Sequence, residues 1–304
     1  MKGKITAILC LIIALVSSLF LSACTPPPLT IGEIFGSYES SLVCIEFETG
    51  GAWSSATAVV VDSDDEWVTA VTCYHAVNYS FSLAQAKFYD DEIVSINAQT
   101  YEVVDYDEKL DLALIKIKKA GYNAKKAYFG ANSSQKIGDI AYVIGNEKGE
   151  GITFDTGHIK MVDEIKSYQG YSKPLTRVSV SFTAGYSGGV VVNNDGAIIG
   201  LAVANDSQNA NRGYALSSSI VSAFIERAGK PHPSFSVREE EYADGNLFKS
   251  KTVITIGASE YDFNNGKLTA GGSEYDTFNG EKIPASISEF IAKIILSQES
   301  FTLN

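Results

Sequence analysis

An all-β fold is the class this sequence predicts, and three observations carry it. Short apolar runs rich in Val, Ile and Thr recur along the chain with Gly, Asn, Asp and Ser between them, which is the pattern of strands and turns. The runs fall into two groups of about six, one on each side of a polar stretch from Lys118 to Ile137. Within the second group, Val190–Gly200 reads as a hairpin: a β-branched run, an Asp195-Gly196 turn and a second apolar run. Apolar residues make up 45% of the 304, enough for a sizeable core, and the 20% that are charged are too few for a disordered chain. The net charge of −12 argues against nucleic acid or anionic lipid as an electrostatic partner.

The elements follow in order. Lys2 and Lys4 precede an apolar stretch from Ile5 to Phe20 and then Leu21-Ser22-Ala23-Cys24. Residues 1–23 therefore read as a processing signal, left out of the fold. The tetrapeptide resembles a bacterial lipoprotein box, in which Cys24 is lipidated and becomes the first mature residue. A plain cleaved signal or a single anchoring helix are the alternatives, but the apolar run is short for a bilayer span of about 20 residues. Residues 24–34, with Pro26-Pro27-Pro28, form a stiff spacer. Ile31–Tyr38 is expected to be a short helix. The first strand group is Leu42–Thr49, Ala52–Asp62, Trp67–Thr72, Ala86–Ile96, Glu102–Tyr106 and Leu112–Ile117. The second is Ile140–Ile144, Phe154–Met161, Thr176–Phe182, Val190–Asn193, Ala197–Ala204 and Tyr214–Leu216. Ser217 or Ser218 is placed to cap a helix running to Arg227, which Ala228-Gly229 ends. The tail, residues 230–304, opens on Pro231-His232-Pro233, carries Glu239-Glu240-Glu241 and ends in a helical pattern from Ser286 to Leu296, so it reads as a small α+β appendage of unknown role. With Cys10 in the signal and Cys24 at the lipidation site, Cys44 and Cys73 remain. They form either one disulfide or two buried thiols, and the thiols are the expectation.

Chemistry concentrates in three segments. Gly185-Tyr186-Ser187-Gly188-Gly189 crowds glycines around one serine, as a nucleophile needs for an exposed hydroxyl and for backbone N–H groups aimed at an oxyanion. Thr72-Cys73-Tyr74-His75-Ala76-Val77 and Asp111-Leu112-Ala113-Leu114-Ile115-Lys116-Ile117 supply a histidine and an aspartate upstream. The same serine pentapeptide fits the nucleophile elbow of α/β-hydrolases. That motif needs a helix after the serine and a histidine downstream. Here a hairpin follows, and the only downstream histidine, His232, sits between two prolines.

The three segments together resemble trypsin-fold serine proteases of the HtrA/Deg type, over roughly residues 35–229. Smaller similarities add to them at Ile144-Gly145-Asn146, Thr156-Gly157-His158-Ile159 and Gly213-Tyr214-Ala215-Leu216. Val190 departs from the family, which usually has proline there. The resemblance implies two six-stranded antiparallel β-barrels and a serine endopeptidase with His75, Asp111 and Ser187 as its triad. The N–H groups of Gly185 and Ser187 would form the oxyanion hole. The substrate pocket would have Ser181 and Phe182 at its base and Ala202, Val203 and Ala204 as walls. None of these is charged, so a small or apolar P1 residue is expected; Asp206 would favour a basic one only if its loop folded back into the pocket. Protein or peptide substrates are implied, with the membrane reached through Cys24 at the outer face of a bacterial cytoplasmic membrane. Relatives often form trimers through an N-terminal segment, but only Thr30–Glu39 is available here, so a homo-oligomer is not assumed. They also often carry a PDZ domain; Phe278–Ile283 is faintly similar to one, without its carboxylate-binding loop. No phosphate loop and no clustered metal ligands are present in the sequence, so no cofactor and no metal are expected. The competing reading is a catalytically silent protease-fold lipoprotein that acts as a protein-binding module.

Overall fold

Strand pairing divides the chain into three antiparallel blocks. The computed structural model describes residues 29–78, 83–89, 92–119, 121–130, 135–206, 208–245, 247–297 and 301–304. The signal segment, Cys24 and the proline run lie outside the described residues. Among those residues no helix is long and apolar enough to cross a membrane.

The first block opens with helix α1 (Ile31–Tyr38), held by a capping box in which Thr30 Oγ accepts from the Glu33 N–H and the Glu33 carboxylate accepts from the Thr30 N–H. Strands β1 (Leu42–Thr49), β2 (Ala52–Ser63), β3 (Trp67–Thr72), β4 (Leu83–Lys87), β5 (Ile93–Ser95), β6 (Tyr101–Asp107) and β7 (Leu112–Lys118) follow. They form a seven-stranded sheet in the order β5-β4-β1-β2-β3-β7-β6. The count is one more than expected because the run Ala86–Ile96 divides into β4 and β5. Phe88 is buried there and its N–H donates to Glu92 O at 2.9 Å, closing a turn between them.

The second block is β8 (Ile140–Asn146), β9 (Ile152–Tyr168), β10 (Tyr171–Val178), β11 (Val190–Asn193), β12 (Ile198–Asp206) and β13 (Asn209–Ser217), closed as the barrel β10-β13-β12-β11-β8-β9. Helix α2 (Ser218–Arg227) leaves it. Ser217 stands at its N-cap without making a side-chain capping bond; its hydroxyl pairs instead with Ser219 Oγ at 2.9 Å. Gly229 ends the helix region at φ +75°, a conformation that suits glycine.

In the strands that flank the seam, alternation sends one face into a block interior and the other toward the seam. In β7, Ala113, Ile115 and Ile117 join the first interior, while Leu112 and Leu114 face the seam. In β11, Val191 lies inside the barrel and Val190 and Val192 face the seam. β11 is central, between β12 and β8, and Val190 pairs with Leu201 and Ile144. A proline at 190 would have no N–H to give that ladder.

The third block is a five-stranded meander, β14 (Phe235–Asp244), β15 (Leu247–Ile256), β16 (Ser259–Asn264), β17 (Lys267–Ala270) and β18 (Ser273–Tyr275). The hairpin β19 (Thr277–Phe278) and β20 (Glu281–Lys282) and helix α3 (Ile287–Leu296) complete it. Asn279 and Gly280 both have positive φ, as a two-residue hairpin turn requires. This block shares one continuous core with α2 and the seam, through Phe224, Phe235, Ile254 and Phe290. Polar ties reinforce the docking. Asp105 of β6 accepts from the Gly229 N–H at 2.7 Å and meets His232 Nε2 at 3.1 Å, and Asp163 of β9 accepts from the hydroxyls of Ser286 and Ser288.

Phe290 is fully buried, stacked on Phe263 at 5.8 Å and edge-to-face with Phe278 at 5.3 Å. Phe290→Ala should therefore destabilise the chain by about 3–5 kcal/mol, read as a lower denaturation midpoint in urea.

Candidate active site

The seam between the first two blocks gathers His75, Asp111 and Ser187. Asp111 sits at the entry to β7 with φ +61°, in a turn where the Leu110 N–H donates to Asp107 Oδ1 at 3.0 Å and its own N–H donates to Glu108 O at 3.3 Å. Asp tolerates that left-handed conformation better than most residues. The Asp111 carbonyl accepts from the Tyr74 N–H at 3.1 Å, which ties the turn to the 3₁₀ segment Tyr74–Ala76 that carries His75. Both carboxylate oxygens of Asp111 are taken by the same residue: Oδ1 accepts from the His75 N–H at 2.8 Å and Oδ2 faces His75 Nδ1 at 2.7 Å. An ionised carboxylate only accepts, so Nδ1 carries the proton and Nε2 is left as an acceptor. Ser187 Oγ lies 3.0 Å from that Nε2. Asp111 is 1% exposed, and Tyr168 packs edge-on to the imidazole with ring centroids 6.0 Å apart.

The loop around Ser187 is set by its glycines and by one threonine. Gly185 and Gly188 have φ +98° and +85°. A Cβ on Gly185 would stand 1.8 Å from Asn146 O, and one on Gly188 would stand 2.0 Å from Thr57 O, so no side chain fits at either position. Among the described residues, neither the Gly185 N–H nor the Ser187 N–H is committed to an acceptor within the chain, so both are free to donate to an incoming oxygen. Thr57 of β2 clamps the loop: its N–H donates to Ser187 O at 2.8 Å and its hydroxyl donates to Gly185 O at 2.7 Å while accepting from the Asn146 N–H at 2.8 Å. Tyr186 is fully buried, with its hydroxyl donating to Asp155 Oδ2 at 3.0 Å.

No motif marks Thr57. It lies in an ordinary strand run, and only its full burial and its bonds across the seam single it out. Removing its hydroxyl as Thr57→Val would leave the Asn146 N–H and the Gly185 carbonyl without partners. We expect a loss of about 1–3 kcal/mol, measurable by denaturant titration.

Of the five predicted pocket residues, Phe182 and Ala202 pack in the barrel interior, Val203 and Ala204 belong to the seam core, and none is on the lining of the cleft at Ser187. Ala202, Val203 and Ala204 are buried in β12, Ser181 is half-buried, and the Phe182 ring packs against Gly213, where a Cβ would approach it to 2.5 Å. Asp206 does not reach them: it accepts from the Gln208 N–H at 2.9 Å and faces Arg212 at 3.5 Å in its own hairpin. An open cleft borders Ser187 and His75, lined by Phe47, Thr49, Ser54, Ser55, Ala56 and Ala184. Those residues of β1 and β2 had no sequence signal.

Cys44 and Cys73 are free, buried thiols. Burial pushes the Cys44 thiol up to about 12 and holds that of Cys73 well above its ordinary value. Cys73, His75 and Asp111 place one ligand atom each within 4.8 Å of one another. That donor set is committed to its own bonds, Cys73 Sγ to Ala202 O at 3.3 Å and Asp111 to His75.

The family description "Trypsin-like peptidase domain" matches residues 56–201. The chain is 30% identical over 128 residues to a "Probable periplasmic serine endoprotease DegP-like" of Chlamydia pneumoniae, covering 41% of this chain and 26% of that protein. It is 25% identical over 179 residues to the protein so named from Buchnera aphidicola, covering 57% and 35%. With the "Periplasmic serine endoprotease DegP" of Salmonella typhimurium it shares 28% identity over 127 residues, covering 40% and 26%. The chain thus spans well under half the length of these relatives. Among solved structures, the active form of the Rv3671c protease of M. tuberculosis superimposes with a TM-score of 0.56 at 20% identity, covering 70% of this chain and 91% of that one.

Proposed function

We propose that this chain is a serine endopeptidase using His75, Asp111 and Ser187, a reading supported by the match of residues 56–201 to a trypsin-like peptidase domain and by the similarity to DegP-like endoproteases. The observation that carries the reading is the relay itself: Asp111 Oδ2 to His75 Nδ1 at 2.7 Å and His75 Nε2 to Ser187 Oγ at 3.0 Å. In it Ser187 Oγ attacks a peptide carbonyl as His75 Nε2 takes its proton, then returns it to the leaving amine. Asp111 keeps the imidazole in the accepting tautomer and stabilises the imidazolium. The Gly185 and Ser187 N–H groups hold the oxyanion, a contribution of about 10²–10³ in turnover per donor. Water then deacylates the enzyme by the same relay.

The substrates proposed are unfolded or accessible protein segments with a small or apolar P1 residue, since the described lining of the cleft at Ser187 carries no acidic side chain and Asp206 is held by its own hairpin. Cys24 is proposed as the lipidated N-terminus, holding the enzyme at the outer face of the cytoplasmic membrane through the proline spacer. Digestion of unfolded casein followed by mass-spectrometric mapping tests the specificity. Cuts after Ala, Val, Ser or Leu are expected; cuts confined to Arg and Lys would refute the pocket assignment.

A further inference from the structure

The end of the β9–β10 hairpin packs on the triad. Tyr168, which closes β9, sets its ring edge-on to the His75 imidazole with centroids 6.0 Å apart. Gln169 at the turn lines a small cavity together with His75, Asp111 and Glu108. Lys173 of β10 returns its ammonium over the same Tyr168 ring, 5.6 Å from the centroid. The ammonium is therefore no farther from the imidazole than those two spans together, about 12 Å. Lys173 is 1% exposed, and among the described residues its Nζ has no hydrogen-bond partner.

Burial holds Lys173 below the ordinary lysine range, while Asp111, Cys73 and Asp107 pull it back upward. Cys73 is a buried thiol held well above its ordinary value, so it stays uncharged. Asp107, at the end of β6, accepts from the Leu110 N–H at 3.0 Å and lies 3.8 Å from His232 Nδ1. Lys166, opposite Lys173 in the hairpin register, is paired with Glu164 at 3.2 Å. Glu108 and Lys109 are exposed, where water and salt screen them. Asp111 is the fully buried charge among these groups. Both its oxygens are bonded to His75, so it meets the lysine through space and not through a hydrogen bond.

The competent state of the triad has Asp111 ionised beside a neutral His75, which leaves one negative charge in a buried site. Such a site draws a proton onto the imidazole, and an imidazolium cannot accept from Ser187 Oγ. A fixed positive charge opposes that uptake. Two unit charges about 12 Å apart, at an effective dielectric of about 20, alter each other's protonation equilibria about tenfold.

We propose that Lys173 is a positioning residue for the catalytic proton: its buried ammonium is the counter-charge of Asp111 and keeps His75 Nε2 free to accept from Ser187. The inference deepens the peptidase reading and rests on it for any consequence in turnover. The effect of the charge on His75 is measurable without turnover.

The full-length chain, labelled with ¹³C-histidine, is titrated by NMR, with the His75 signal identified by its loss in His75→Ala. Lys173→Met and Lys173→Leu should both fold, since an apolar side chain replaces a buried charge at little cost. Each should raise the pH at which the His75 ring takes up its proton by about one unit, a tenfold change. Lys173→Arg, which keeps the charge, should leave that pH near its wild-type value, and the exposed His158 should not move in any variant. The acid limb of the kcat/KM profile on casein should move with His75. A rise of less than about half a unit in both neutral variants would make the lysine a packing residue and overturn the proposal. A shift in Lys173→Arg as large as that in Lys173→Met would overturn it too, because the charge would not be the cause. Turnover with an unmoved His75 defeats this inference alone; a moved His75 in a chain that never cleaves casein upholds the charge effect and defeats the peptidase reading.

Discussion

Replacing Ser187 by alanine is expected to lower casein turnover by at least about 10⁴-fold while shifting the melting temperature by no more than about 1 °C. The loss follows from the geometry, since Ser187 Oγ is the atom that Nε2 of His75 faces at 3.0 Å. The stability is spared because the loop is fixed by main-chain groups, not by the hydroxyl. Thr57 N–H still reaches Ser187 O, and Gly188 N–H still reaches Ala202 O at 2.8 Å. His75→Ala should cost as much, and the double variant no more than either alone, because the two residues act as one unit. Turnover rates and differential scanning fluorimetry on the three proteins check both halves of this expectation.

Asp111→Asn should reduce turnover by about 10⁴-fold with the backbone intact. Asparagine accepts the left-handed φ of +61° as readily as aspartate does, so the turn survives. What changes is the hydrogen bonding. The carboxylate accepts from both His75 Nδ1–H and the His75 main-chain N–H; an amide has one accepting oxygen and one donating nitrogen. If the oxygen keeps the main-chain bond, the NH₂ meets Nδ1 and drives the ring proton to Nε2, where it blocks proton transfer from Ser187. A crystal structure of the variant with unchanged ring position, together with its turnover, distinguishes this tautomer effect from a collapsed turn. Retention of more than about a tenth of wild-type turnover would remove Asp111 from the role assigned to it.

Much of this arrangement was legible in the residues because local chemistry and global fold agree there. The strand at Val190–Asn193 and those at Leu42–Thr49 and Trp67–Thr72 follow directly from their β-branched runs and bounding turns. The convergence of His75, Asp111 and Ser187 was readable because each lies in a recognisable run. Strand ends were less so: β9 extends to Tyr168, well past Met161, because its pairing with β10 continues beyond the barrel as a hairpin, and that pairing leaves no mark on β9 alone. Thr57 and the cleft residues of β1 and β2 were silent for the same reason, since their roles arise from contacts across the seam. The tail reads as a separate appendage in sequence because its link is proline-flanked, yet Asp105, Asp163 and the shared apolar core bind it to the other two blocks.

The most direct single measurement is labelling of the wild-type chain with a fluorophosphonate, with the adduct mapped by mass spectrometry and the His75→Ala chain alongside. The relay at the seam predicts one adduct, on Ser187, that is lost when His75 is removed. No adduct on Ser187, or labelling that persists undiminished in His75→Ala, would contradict a serine peptidase built on these three residues.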